Sequence, residues 1–450
     1  DLSGNGLMKV AVPTSELSNI KDINGKSLDS LVTNNGLLIA EGGYIQLSSK
    51  TAENLMLGSV NVGSSGIVSA ASINQQTGNV VIGGENNDIV EIQGNIDVSS
   101  KNPTTPSGRL TITGTNVYYG GSTNASGSSG GKILAKAKEV LVLDGSIVAK
   151  GLKESGGDLM VVSEDVLLST ARTNIDMSGS LNGGSIKLHG DSYNLVTGAF
   201  KADGNTNQGG IIDYAGQNVR LAAADISAKG ASQGGKVRIG GEYLGGQELS
   251  RVSLKEYNGF INRFENQNEI TNSQNTIVDY DVNINISSAF GQGGAAVIWS
   301  DETTDFLGSI DANGYLKADE GWVTKAYNKK EKGGFIEISS KNLLRTVNLD
   351  RVSVDYGTLL LDPKNITVDA SGSSGGSLDN GLRAQVYYNY FNDSFNYFGT
   401  VGGRTQDSRS SVRNRFNRDF TTINHITPGR NFAERYSAEW RGFFKPKQTG

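Results

Sequence analysis

Residues Gly130 to Gly151 read GGKILAKAKEVLVLDGSIVAKG, and this stretch decides the fold. A Gly-Gly pair leads into three short apolar runs, KILAKA, VLVLDG and SIVAKG, and the last closes on glycine. The same grammar follows Gly156-Gly157 (DLMVVS, VLLSTA, NIDMSG), Gly183-Gly184 (SIKLHG, NLVTG, AFKADG) and Gly209-Gly210 (IIDYA, VRLAA, DISAKG). Gly234-Gly235 then opens KVRIGG. The pairs thus begin at positions 130, 156, 183, 209 and 234, an almost fixed stride. A stride between roughly 20 and 50 residues that carries its own internal pattern marks stacked structural repeats rather than one collapsed globule.

Three short strands per stride, each closed by Gly, Asn or Asp, describe one triangular coil. Alternation with a period of two sends one side chain inward and the next to solvent. The fold class expected is all-β: a right-handed parallel β-helix of three strands per coil, each strand pairing with its equivalents above and below. The pattern extends outward less regularly. Gly83-Gly84 lies nearly two strides before Gly130-Gly131, with SGRLTIT (Ser107 to Thr113) marking the coil between. Gly42-Gly43 opens YIQLSS, and SGIVSA follows from Ser65. After Gly246 the repeat lapses through an Asn-rich stretch, Glu248 to Gln274, before resuming at Gly293-Gly294 with AAVIWS, SIDANG and later FIEISS after Gly333-Gly334. The lapse reads as one padded coil, with a ligand-facing insertion as the alternative. At one coil per stride, residues 1–370 hold roughly 14 coils, a rod about 70 Å long at ~4.8 Å per coil.

Composition agrees with a scaffold of turns. Glycine numbers 60 and proline 6, which suits tight turns and not disorder or collagen. There is no cysteine, so disulfides, thiolate metal sites and Cys nucleophiles are excluded. A net charge of −5 discourages nucleic-acid binding. No apolar run is long enough for a transmembrane helix. The chain starts at Asp1 without a signal peptide, and both ends read as cuts within a longer polypeptide.

Residues 371–380 contain SGSSGGSLDN, a flexible Gly/Ser-rich linker. Beyond it the character changes. Residues 381–450 carry 11 Lys/Arg against 5 Asp/Glu, a local net of +6, so residues 1–380 carry the remaining 30 and 41, a net of −11. Aromatics crowd at Tyr387, Tyr388, Tyr390, Phe391, Phe395, Tyr397 and Phe398. The chain thus divides into residues 1–370, the linker, and a second domain over 381–450.

Several stretches resemble the filamentous-haemagglutinin family, the large exoproteins of two-partner secretion. GNGLMKVAVP (Gly4 to Pro13) and NNGLLIAEGGYIQLSSKTA (Asn34 to Ala52) are similar to the segment after the family's secretion domain. GGAAVIWSDETTDFLGSIDANG (Gly293 to Gly314), GGFIEISSK (Gly333 to Lys341) and GTLLLDPKNITVD (Gly357 to Asp369) resemble the block that closes its β-helical region. The family's N-terminal secretion domain is missing from the chain. GLRAQVYYNYF (Gly381 to Phe391) with YSAEWRGFFKPKQTG (Tyr436 to Gly450) is similar to the first half of the protective-antigen-type β-sandwich, a carbohydrate-binding domain. In that family sugar and calcium are held in the second half. The resemblance therefore implies no cofactor in this chain, assigns calcium to the half beyond it, and hands over no site residue.

Candidate chemistry is sparse. Solenoids of this shape include polysaccharide lyases and hydrolases, whose sites need clustered carboxylates on one exposed face. Here Asp144, Asp203 and Asp311 sit beside turn glycines and read as turn formers. His189 and His425 are too few for a multi-His metal site. GGSLDNG (Gly375 to Gly381) lacks the lysine and strand-to-helix setting of a phosphate loop. The sequons at Asn124, Asn285, Asn365 and Asn392 are as expected by chance in so Asn/Ser-rich a chain. Arg404, Arg409, Arg413, Arg415 and Arg418 read as a solvated or partner-domain face, and the cluster near Tyr387 as sandwich core. No catalytic, cofactor or metal residue is assigned, and the ligand-binding residues are unknown.

The function these readings imply is a non-enzymatic stalk segment of a bacterial adhesin, secreted or held at the outer membrane, which projects a glycan-binding domain. Its expected partners are the two-partner secretion transporter of the outer membrane and glycans or proteins on host or neighbouring cells. Exposed coil edges need caps or neighbours, which leaves lateral self-association open to the chain without deciding it. The rivals are a β-helix polysaccharide-degrading enzyme and the delivery stick of a contact-dependent toxin.

Overall fold

The structure is a computed structural model of the 450-residue chain. It describes residues 2–3, 7–10, 30–48, 58–73, 76–83, 89–102, 104–246, 270–314, 333–346, 349–354, 357–362, 365–368, 381–388, 405–407 and 436–443. Two units divide the chain. One comprises residues 1–318, 330–345 and 349–365; the other comprises 319–329, 346–348 and 366–450.

The first unit is a parallel β-helix with three faces. In its first sheet, strands from Leu7–Val10 and Tyr44–Leu47 through Asp158–Ser163, Ser185–Gly190 and Lys236–Ile239 to Phe335–Ile338 and Thr358–Leu360 pair in parallel with their equivalents in neighbouring coils. The second sheet holds strands such as Val166–Ser169 and Asn275–Val278, and the third holds Asn174–Asp176 and Ser309–Asp311. The coils number about ten. The expected 14 is corrected because several coils are longer than the stride. The coil from Lys236 to its register partner Ala295 takes more than two strides of sequence. Those from Ala295 to Phe335 and from Leu7 to Tyr44 each take nearly one and a half. At ~4.8 Å per coil the stack rises about 50 Å.

Register explains why these sequences form these strands. In the first sheet Leu110, Ile133, Leu159, Ile186, Ile212, Val237, Ala296 and Ile336 are successive partners, and all are buried. In the third, Ile147, Ile175, Phe200, Ile226, Ile284 and Ile310 form a second buried column. Each large aliphatic chain so enclosed contributes about 1.5–3 kcal/mol of hydrophobic stabilisation. The second-sheet column is interrupted by buried Asn194, whose Nδ2 donates to the carbonyls of Leu188 (3.0 Å) and Ala215 (3.1 Å).

The Gly-Gly pairs form the corner between the third and first sheets. Here adjacent coils touch backbone to backbone. A Cβ added at Gly184 would lie 2.0 Å from the carbonyl oxygen of Gly157, and one at Gly183 would lie 2.3 Å from the nitrogen of Gly210. Within the coil the Gly184 amide donates to Met177 O at 2.8 Å, closing the turn. The glycines are therefore spacers set by close approach. A polar ladder runs alongside: Asn207 Nδ2 donates to Asn182 Oδ1 (2.8 Å), and Ser232 Oγ donates to Asn207 Oδ1 (2.6 Å).

The second unit contains a three-stranded antiparallel sheet. Gly381–Tyr388 is central, with Thr405–Asp407 on one side and Tyr436–Phe443 on the other. The linker at 371–380 lies outside the described residues.

Candidate functional site

The outer face of the first sheet changes character along the stack. Outward Lys132, Leu134 and Lys136 are exposed, whereas Ala295–Ile298 and Phe335–Ile338 are buried at every position, on both faces of the sheet. A strand buried on both faces needs a cover, and Tyr243–Gly246 supplies part of it. After Ile239 the chain leaves the coil at Gly240, crosses the outside of the sheet through Tyr243–Gly246, and returns to open the second-sheet strand Asn275–Val278. Lys236 and Ala295 are register partners in adjacent coils; residues 247–269, most of the expected padded coil, lie outside the described residues.

Under Tyr243–Gly246 lie Ala295, Val297, Trp299 and Phe335, which with Tyr243 form an apolar cluster separate from the helix interior. Tyr243 and Phe335 meet edge to face with ring centroids 5.5 Å apart. Beside this cluster is the densest charged group among the described residues. Outward row partners Asp213 and Arg238 form a fully buried bidentate pair, with Nε to Oδ1 at 2.9 Å and Nη2 to Oδ2 at 2.8 Å. Arg238 Nη1 also donates to Glu242 Oε1, which accepts the Ile270 amide as well, at 2.9 Å. Burial, the largest single influence, would lower the Arg238 guanidinium, but the hydrogen bonds and charges of Asp213 and Glu242 together outweigh it and hold it above its ordinary value.

Glu337 is the other enclosed carboxylate. It stands on the same outward row, where Val297 separates it from Arg238, and it is fully buried. Both its oxygens accept the Leu244 amide, at 3.2 and 3.1 Å. Desolvation pushes its carboxyl up to about 8, against the opposing pull of the Leu244 and Ser339 hydrogen bonds. Asn272 and Asp301 complete the clasp: Asn272 Nδ2 donates to Gly245 O at 2.9 Å, and Trp299 Nε1 donates to Asp301 Oδ1 at 3.1 Å.

Chemically this group is a fastening. A glycosidase needs two carboxylates facing an open groove, about 5–9.5 Å apart, with one free to donate a proton. Asp213 and Glu337 are instead covered, and each already accepts bonds from protein donors. Sequence reasoning missed the cluster because Asp213, Arg238 and Glu337 sit at ordinary outward positions. The available signal was the loss of alternation in AAVI and FIEI.

The residues singled out from sequence do not converge. Asp144, at the corner of the second and third sheets, accepts from Tyr118 Oη, Thr170 Oγ1, and Arg172 Nε (2.9 Å) and Nη2. The Arg172 hydrogen bonds, helped by those of Thr170 and Tyr118, hold its carboxyl down at about 2. Asp203 accepts Ser227 Oγ (2.6 Å) and the Lys229 amide (2.8 Å) of the next coil, and Asp311 accepts the Asn313 amide (3.0 Å). All three act as corner clamps. His189 stands on an outward row between Val162 and Ala215 and contacts Asp191. Asn124 and Asn285 each cap the third-sheet corner by accepting the amide two residues on, Ser126 and Ser287, both at 3.1 Å. Asn365 opens the strand Asn365–Val368, and Tyr387 and Tyr388 end Gly381–Tyr388. His425, Asn392, Gly375, Arg404, Arg409, Arg413, Arg415, Arg418, Tyr390, Phe391, Phe395, Tyr397 and Phe398 lie outside the described residues.

Among the described residues no group of three or more His, Asp or Glu is placed to hold a metal ion, and no helix is long and apolar enough to cross a membrane. No protein-family profile and no curated protein matches the chain. Among solved structures, the crystal structure of the HMW1 secretion domain from Haemophilus influenzae is similar, with 17% sequence identity over 76% of this chain and 95% of that chain and a TM-score of 0.39.

Proposed function

We propose that the chain is a stalk segment of a large bacterial adhesin, secreted or held at the cell surface, which carries a glycan-binding domain away from the cell. The observation that carries this reading is the unbroken coil-to-coil register of the first sheet, from Leu7–Val10 to Thr358–Leu360, around an interior filled by apolar columns. An interior packed in this way leaves no channel for a substrate. Its stability sums over neighbouring coils, and its length scales with their number. The enclosure of Asp213, Arg238 and Glu337 disfavours polysaccharide cleavage on the sheet face.

Support for the adhesive setting comes from the filamentous-haemagglutinin-like stretches, above all GGAAVIWSDETTDFLGSIDANG and GTLLLDPKNITVD, and from the protective-antigen-like start at Gly381. On this reading the export partner is a two-partner secretion transporter, and the targets are glycans or proteins of another cell. The test is attachment of cells displaying the full-length protein to glycan-coated surfaces, against cells lacking it. Equal attachment refutes the adhesin reading. Release of unsaturated or reducing sugars from acidic polysaccharides by the 450-residue chain would favour the enzyme instead.

A further inference from the structure

The excursion at Gly240–Gly246 is held under strain. Gly240 has φ +75°, and Leu244, Gly245 and Gly246 follow one another at φ +49°, +66° and +76°. For Leu244 the left-handed region costs roughly 1–2 kcal/mol, and a residue stays there only where its surroundings over-determine it. What holds it is the bond from its amide to Glu337, seconded by Asn272 on the Gly245 carbonyl and by Arg238 on Glu242. The main fastening of a strained segment is therefore one buried carboxylate at the far end of a 93-residue separation.

We propose that Tyr243–Gly246 is a strap that lifts from the first sheet when Glu337 ionises, uncovering the ledge formed by Val297, Trp299 and Phe335. The groups facing Glu337 set the direction. From the strap comes the Leu244 amide; from just past its own strand comes Ser339; from the next coil comes Asp362, whose charge opposes ionisation. Glu242, which leads into the strap, is bonded to Arg238. Arg238, the neighbouring cation, is already bonded to Asp213 and Glu242. An ionised Glu337 thus lacks a counter-ion of its own inside the closed site, and it regains water only if the strap leaves.

The sign follows from linkage. The closed state binds the Glu337 proton more tightly than an open, hydrated state does, with its carboxyl moved from 4.5 to about 8. Closure is therefore favoured fully below pH 4.5, weakens as pH rises, and reaches its weakest level above pH 8. Across that window the opening constant rises about tenfold per pH unit. Asp213, Glu242 and Asp301 stay bonded to Arg238, Ile270 and Trp299 while the strap is shut.

Hydrogen exchange on the full chain tests this, following the peptide that contains Leu244 and correcting for the intrinsic pH dependence of exchange. Its protection should fall about a hundredfold between pH 5.5 and 7.5, while a peptide from the coil core at Leu159–Val161 holds constant. Glu337→Gln, which keeps the acceptor and removes the charge, should stay closed and flat over the same range. Binding of an apolar dye should rise with pH in the parent and not in the variant. Protection at Leu244 that does not change with pH overturns the proposal, as does an unchanged slope in Glu337→Gln. Should the variant fail to fold, the parent profile decides alone: it must level off near pH 8, and a slope continuing without a plateau contradicts it.

Discussion

Gly184→Ala should destabilise the β-helix severely, although it adds a single methyl group. The added Cβ would lie 2.0 Å from Gly157 O, while ordinary contact begins at 3.4 Å, so the coils must part by about 1.4 Å at that corner. The atom in the way is backbone, so no side chain can swing aside. Moving that corner away from Gly157 disturbs the inter-coil bonds Ser185 N to Gly157 O (2.9 Å) and, on the other side, Gly183 N to Gln208 O (2.9 Å). Two bonds worth about 1 kcal/mol each, plus residual overlap of about 1–3 kcal/mol, give a loss of about 3–5 kcal/mol. The control is Gly36→Ala. Its Cβ would find its nearest neighbour at 4.0 Å, and its φ is not left-handed. It should be neutral or gain about 0.4–1 kcal/mol by restricting the unfolded chain. Urea unfolding followed by circular dichroism measures both, with exchange at Ser185–Gly190 showing whether the loss is local. A Gly184→Ala protein as stable as the parent to within about 0.5 kcal/mol, the range of an ordinary surface substitution, would refute the close-approach account of the Gly-Gly stride.

Removing half of the buried pair should cost more than removing all of it. Arg238→Met strands Asp213 and should lose about 3–5 kcal/mol by urea unfolding, whereas Arg238→Met with Asp213→Leu should recover most of that. Asp144→Asn should lose about 1 kcal/mol at neutral pH, a figure discounted because Arg172 is 77% exposed and water screens the pair. Because the Asp144 carboxyl is held below its ordinary 3.8, the difference should be complete above about pH 4 and vanish as pH falls through 2 in a thermal-unfolding series.

Much of the fold was legible because a β-helix writes its geometry locally. Each inward position of Lys132–Leu143 is apolar, as are Leu159 and Val161 of Asp158–Ser163, and the turns carry Gly or Asp, so coil, strand and corner follow from one stride of residues. The coil count was not legible. A stride cannot show where a coil lengthens, and Lys236 and its register partner Ala295 stand more than two strides apart. The clasp of Asp213, Arg238 and Glu337 was hidden for a related reason. Whether an outward charge meets water or a strap depends on chain one to several strides away, as the Glu242–Asn272 and Leu244–Glu337 bonds show. The corner role of Asp311 was readable because its Asx turn onto the Asn313 amide is a local event, whereas the donors to Asp144 and Asp203 come from neighbouring coils.

Deleting one register-matched coil tests the stalk directly. Removing residues 158–184 joins Gly157 to Ser185, and because Asp158 and Ser185 are register partners the ladder closes without a gap. The deletion protein should fold, with a stack shorter by about 4.8 Å, measured by electron microscopy. Cells displaying the shortened full-length protein should still attach to their targets, since no coil supplies an indispensable site. A deletion protein that folds with the shortened stack and yet attaches no better than cells lacking it would contradict the stalk.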